Sequence, residues 1–107
     1  MRRLAAMAML AVAVQVGAAE PPEVKLVIKD HQFAPAEVRV PAATKVMLVI
    51  ENQDPTPEEF ESHDLHREKV IAGHRTAKIP VGPLKPGSYK FFGEFNQDTA
   101  QGVLIAE

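Results

Sequence analysis

Taken by the alternation of apolar and polar positions, the chain from residue 24 onward is a succession of short extended segments. Residues 24–29 (Val-Lys-Leu-Val-Ile-Lys) alternate imperfectly and are rich in β-branched side chains, which predicts a strand. Asp30, His31 and Gln32 break it. Phe33 and Pro35 lead into a second alternating segment, Val38-Arg39-Val40, which Pro41 ends. Residues 45–51 (Lys-Val-Met-Leu-Val-Ile-Glu) predict a buried strand, and 52–57 (Asn-Gln-Asp-Pro-Thr-Pro) a loop by composition.

Over 59–62 an extended backbone sends successive side chains to opposite faces. Phe60 then points to the core, Glu58 shares its side at the strand's end, and Glu59 and Glu61 take the other face. Further strands are predicted at 67–71 and at 75–79, the latter closed by Pro80. After a Pro-Gly turn at 84–87, residues 88–92 predict a strand with Tyr89 and Phe91 on one face. A loop over 93–101 precedes a closing strand at 102–106. About seven or eight short strands with turn signals every ~8–12 residues predict an all-β sandwich.

The first nineteen residues read differently. Met1-Arg2-Arg3 is a basic start, residues 4–16 are apolar except for Gln15, and Gly17-Ala18-Ala19 offers small residues for cleavage after Ala19. This predicts a secretory signal peptide over 1–19, too short in its apolar run to span a membrane, ahead of a single domain over 20–107. The expected location is the periplasm.

Composition narrows the chemistry. Without Arg2 and Arg3 the twelve basic residues become ten, against fourteen acidic ones, so the exported chain is acidic. It has neither basic runs nor an aromatic platform, which argues against nucleic acid. There is no cysteine, which excludes disulfides, thiolate catalysis and every thiolate metal site. The domain must hold by its core.

One stretch stands apart. Residues 58–69 (Glu-Glu-Phe-Glu-Ser-His-Asp-Leu-His-Arg-Glu-Lys) carry five carboxylates and two of the four histidines. From Glu51 to Lys69 lie seven of the fourteen acidic residues. Carboxylates this crowded repel one another unless a positive charge neutralises them, and a metal cation is one way to supply it. The other reading is a solvated polar face, with Glu59 and Glu61 on an edge strand whose charge deters aggregation. Asn52 and Asp54 read as caps of the preceding loop. His31 and His74 read as loop histidines, and Phe60, Tyr89, Phe91, Phe92 and Phe95 as core.

The order of several short motifs resembles a cupredoxin: Phe33-x-Pro35, Val49-x-Glu51-Asn52-x-Asp54, Leu84-x-Pro86-Gly87-x-Tyr89 and Ala100-x-Gly102. The resemblance spans about 24–107 and implies a Greek-key β-sandwich. Blue-copper members bind the metal through a His after the Asn-x-Asp loop, then a Cys, a second His and a Met near the last strands. In that frame this chain has Glu58, Gly93, Asn96 and Ala100, so no blue-copper site is expected. The runs Glu59-Phe60-Glu61-Ser62, Asp64-Leu65 and Glu68-Lys69-Val70 are similar to the EfeO-type cupredoxin-like periplasmic proteins of bacterial iron-uptake systems. So are Phe92-Gly93-Glu94-Phe95-Asn96 and Thr99-Ala100-Gln101-Gly102. The position of Asn96 is often His in that group. The resemblance implies an iron permease and a periplasmic metal-binding protein as partners, and a role in Fe(II) oxidation or in iron or copper delivery.

Oxygen and imidazole ligands without sulfur suit iron, manganese, zinc or Cu²⁺. Two site geometries follow. In the first, Glu59 and Glu61 point the same way and Asp64, His66 and Glu68 reach back from the next loop and strand, with His63 as a substitute for His66. In the second, Glu58 and Asn96 hold an ion at the inherited cupredoxin position, with Glu94 beside them. The alternative function is a metal-free interaction module that docks an acidic face onto a transporter or periplasmic partner.

Overall fold

The computed structural model describes residues 20–107, so the signal-peptide expectation for 1–19 lies outside the described residues. Nine strands form two sheets: β1 (Glu23–Lys29), β2 (Gln32–Ala34), β3 (Glu37–Val40), β4 (Val46–Asn52), β5 (Glu58–Ser62), β6 (Arg67–Ile71), β7 (Thr76–Val81), β8 (Gly87–Gly93) and β9 (Gln101–Ala106). One sheet has the order β2-β1-β4-β7 and the other β3-β9-β8-β5-β6. The pairs β1–β4 and β3–β9 are parallel, and the remaining pairs are antiparallel. The expected all-β sandwich is therefore the fold, with one more strand than the upper count. The addition is β2, in a segment the pattern gave only as a lead-in. No described helix is long and apolar enough to cross a membrane.

The two-residue period builds the core. Along β4 and β7 every second residue is buried, so Val46, Leu48 and Ile50 meet Ala77, Ile79 and Val81 inside their sheet. Leu26, Ile28 and Phe33 complete that inner face, and Val38, Val40, Phe60, Ile71, Phe91, Leu104 and Ala106 cover it from the other sheet. Phe33 meets Phe91 and Phe60 edge-on, with ring centroids 5.0 and 6.1 Å away. The pattern predicted that Pro80 would end its strand. It does not: β7 runs on to Val81, because β7 is an edge strand, where a residue without an N–H is tolerated.

Polar side chains tie the loops at one end of the sandwich. Asp30 and His31 join β1 to β2 with φ of 52° and 58°, the left-handed pair that a tight two-residue hairpin turn needs. Neither is glycine, and the Asp54 carboxylate holds the turn by accepting both N–H groups at 2.8 and 3.0 Å. The buried Asn52 amide donates to the carbonyls of Thr56 and Ile71 at 2.9 and 3.1 Å, and its Oδ1 accepts the Asp54 N–H at 3.0 Å. Gly73 lies against Pro55 so closely that a Cβ there would sit 2.2 Å from its carbonyl oxygen. The Asn-x-Asp motif thus fixes the chain just before β5.

Asn52→Ala orphans two carbonyls, one N–H and the cavity between them. We expect a loss of about 2–3 kcal/mol of unfolding free energy with an unchanged denaturant m value. A loss under about 0.5 kcal/mol would show that the loop holds without the amide. The backbone N–H of His31 first, and that of Asp30, hold the Asp54 carboxyl below its ordinary value of 3.8. A lowered folded pKa gives stability that is present above 3.8 and lost as pH falls through the folded value. Asp54→Asn should therefore melt lower than the parent at pH 7, with the gap closing in strong acid. A gap independent of pH would refute this role.

Candidate functional site

The sequence Glu-Glu-Phe-Glu-Ser makes β5 extended and two-faced, with burial alternating along it. β5 is not the edge strand the polar-face reading supposed: β6 covers one side and β8 pairs with the other. Phe60 sits opposite Gly93 of β8, which pins Glu58, Phe60 and Ser62 inward and leaves Glu59 and Glu61 on the outer face. The β5–β6 ladder places Glu61 directly opposite Glu68 and Glu59 opposite Val70. Like charges directly opposite one another destabilise a ladder.

The result is a carboxylate triad. One ligand oxygen from each of Glu59, Glu61 and Glu68 lies within 4.8 Å of the others. Glu59 and Glu61 are half-buried and Glu68 is exposed, and Glu61 Oε2 is buried with no hydrogen-bond partner. Among the described residues no lysine or arginine pairs with the three; the described Lys and Arg ion pairs join Arg39 to Glu37 and Glu107, and Lys78 to Glu23. The Nδ1 of His63 stands 3.9 Å from Glu61 Oε1, and its ring leans on Phe92 with centroids 5.6 Å apart. Together with Glu94 and Gln97 these groups line an open depression of about 540 Å³. Desolvation first, then Glu59 and Glu68, push the Glu61 carboxyl above its ordinary range.

The other sequence-predicted residues lie elsewhere. Asp64 Oδ2 accepts the backbone N–H of Lys90 at 2.9 Å and so braces the 62–67 turn on β8. His66 occupies a left-handed position in that turn, with φ of 54°, and lines a neighbouring depression with Glu61, His63 and Glu68. Phe95, read from sequence as core, is 50% exposed. Phe92 and Gln97 reach the depression only through strand register and the turn after β8, which no local signal marks.

Glu58 and Asn96 form a separate group. Glu58 is 1% exposed. Its Oε1 accepts the N–H groups of Glu59 and Phe95 at 3.0 and 2.9 Å, and its Oε2 accepts the Asn96 side-chain amide at 2.6 Å. A Cβ at Gly93 would stand 2.7 Å from the Glu58 carboxyl carbon and 2.7 Å from Ala100 Cβ. The four positions of the copper frame that the cupredoxin resemblance implies, Glu58, Gly93, Asn96 and Ala100, therefore do converge. They bring a carboxylate, an amide and no sulfur, and the carboxylate's two oxygens are taken by protein donors. These residues do not fit copper of the blue type.

The sequence matches the family model described as cupredoxin-like domain over residues 2–106. An uncharacterized protein of Rickettsia prowazekii (strain Madrid E) is 59% identical over 83 residues, which cover 78% of this chain and 66% of that protein. Auracyanin A, a blue copper protein from Chloroflexus aurantiacus, superposes with a TM-score of 0.71 at 13% identity, covering 81% of this chain and 99% of that one. The metal-binding domain of the Cu(I)-exporting P-type ATPase of Streptococcus pneumoniae D39 gives a TM-score of 0.71 at 11% identity, covering 79% and 84%. At these identities the structures establish the fold alone.

The raised Glu61 carboxyl gives a signed prediction. A raised folded pKa contributes stability below the ordinary value of 4.5 that is lost as pH rises through the folded value. Glu61→Gln should therefore raise the melting temperature of the metal-free chain at pH 7, with the gain vanishing below pH 4.5. A lower melting temperature at pH 7 would show that the carboxylate is a stabilising group.

Proposed function

This chain belongs to the family of cupredoxin-like domains, and we propose that within it the chain is a periplasmic metal-handling accessory protein that holds an iron or copper ion on Glu59, Glu61 and Glu68. The observation that carries this reading is the buried, unpartnered Oε2 of Glu61 beside two further carboxylates. A cation there would supply the missing partner and neutralise three like charges at once. His63 adds an imidazole at the rim. An oxygen-dominated set with one imidazole and no sulfur suits hard to borderline ions, and it favours Fe³⁺ over Fe²⁺. The ion is cargo in this reading. The depression is open, so the ion can be taken up and released to a membrane permease or a periplasmic metal-binding protein. The same preference for Fe³⁺ would assist oxidation of bound Fe²⁺ with dioxygen as the electron acceptor.

A second reading, a metal-free docking module, is favoured by the apolar groups around the acidic face. Val70, opposite Glu59, is 52% exposed, and Phe95, next to Glu94, is 50% exposed.

Calorimetric titration of the metal-free chain with anaerobic Fe²⁺, Cu²⁺, Zn²⁺ and Mn²⁺ separates the two. The expected outcome is binding of at least one ion at about micromolar or tighter affinity, weakened at least about tenfold in Glu61→Gln/Glu68→Gln. Binding should also release protons and weaken toward acid, because the ligands must be deprotonated. Admission of air to the Fe²⁺ complex then reads out oxidation against buffer alone. Absence of binding to all four ions would overturn the metal reading and leave the docking module.

A further inference from the structure

The position that the cupredoxin frame assigns to copper is filled by protein groups. Glu58 is fully inside, yet it has no cationic partner among the described residues. All three of its contacts are N–H donors, and two of them, from Phe95 and Asn96, belong to the short 3-10 turn Glu94–Asn96 between β8 and β9. The turn is closed again behind them: the Asn96 carbonyl accepts the N–H groups of Thr99 and Ala100 at 3.2 and 2.8 Å, and Gly93 N–H donates to the Ala100 carbonyl at 2.8 Å. Gly93 has no room for a side chain because the Glu58 carboxyl fills that volume. A short side chain at position 58, or a side chain at position 93, would undo the arrangement from either end.

We propose that the Glu58 carboxylate is a permanent, protein-supplied substitute for a metal ion: it gathers the segment 93–100 onto β5 and shuts the inherited site to metals. The carboxylate contributes the negative pole and the segment the N–H groups, which reverses the polarity of a metal site, where a cation gathers acceptor atoms. An ion entering there would meet the donor hydrogens of Phe95 and Asn96 instead of lone pairs. The chain therefore keeps the loop geometry of its fold without needing metal to fold, and any metal it binds goes to the outer carboxylates. This inference does not rest on the outer site binding metal.

Amide hydrogen exchange tests it on the whole chain treated with chelator. The Phe95, Thr99 and Ala100 amides should be protected without metal, and adding Cu²⁺ or Fe²⁺ should leave their rates unchanged. Asn96→Ala removes one donor from a half-buried position without touching the core. It should speed exchange at Phe95 by about tenfold while amides of β1 and β4 stay unchanged. Glu58→Gln should do the same with a melting temperature lower by about 6–15 °C, since it replaces the charge-assisted acceptor oxygens with one neutral carbonyl and an N–H donor. If Glu58→Gln does not fold, Asn96→Ala alone decides. Protection that forms only on adding metal would overturn the proposal. So would metal binding that is abolished by Asn96→Ala and intact in Glu61→Gln/Glu68→Gln. A chain that binds no metal yet shows the protection defeats the proposed metal handling and leaves this inference standing.

Discussion

The two-residue period of β5, held in register by Phe60, sets where Glu58, Glu59 and Glu61 lie. Phe60 packs against Phe33 across the sheets and lies 5.3 Å, centroid to centroid, from Phe91 of β8. A slip of one residue would move Phe60 into water, at a cost of roughly 1.5–3 kcal/mol, and would drive Glu59 and Glu61 into the apolar core. Two carboxylates without partners there cost far more than the aromatic gains, so the register is fixed from both sides. Once it is fixed, Glu58 and Ser62 must be accommodated inside and Glu59 and Glu61 outside. Ser62 solves its half by donating to the Lys90 carbonyl at 2.6 Å and accepting the Leu65 N–H at 3.1 Å. Glu58 solves its own with the turn after β8.

The outer face follows a different logic. A ladder that sets Glu61 opposite Glu68, with Glu59 one pleat away, gains nothing for the fold from this choice of residues. Either strand could carry a lysine or threonine at these positions and pair favourably. The described lysines and arginines do not come to the rescue: Arg67 turns away to the Pro80 carbonyl at 3.0 Å. A local arrangement that works against the fold, placed on rigid strands instead of on a loose loop, is the pattern expected where selection acts on something other than stability.

Much of this was legible in the residue pattern. Alternation alone put Glu58 inside and Glu59 and Glu61 outside, and the Asn-x-Asp motif announced a loop held by its own side chains. That holds for Asn52 but not for Asp54, whose carboxylate reaches back to the Asp30–His31 turn. What the pattern could not supply was the third dimension. Glu68 joins the triad only through the β5–β6 register, and that depends on the turn over 63–66, where His66 takes a left-handed conformation that nothing local demands. Asp64 has the same composition as a ligand, but a backbone N–H from β8 claims it. The exposure of Phe95 was unreadable for a related reason. Its N–H is bound to Glu58, 37 positions earlier, and that contact faces its ring outward against ordinary hydrophobic expectation.

The contrast between Glu58 and Glu61 shows why residue type decides so little. The two stand three positions apart on one strand, and both are largely withdrawn from water. Glu58 has its oxygens filled by three N–H groups and makes a closed structural unit. Glu61 has one oxygen near an exposed histidine, one oxygen with nothing, and two carboxylates for neighbours. A buried acceptor that is satisfied adds rigidity, whereas one left unsatisfied is a standing demand for a donor or a cation. Glu58 stands in the first condition and Glu61, on the opposite face of the same strand, in the second.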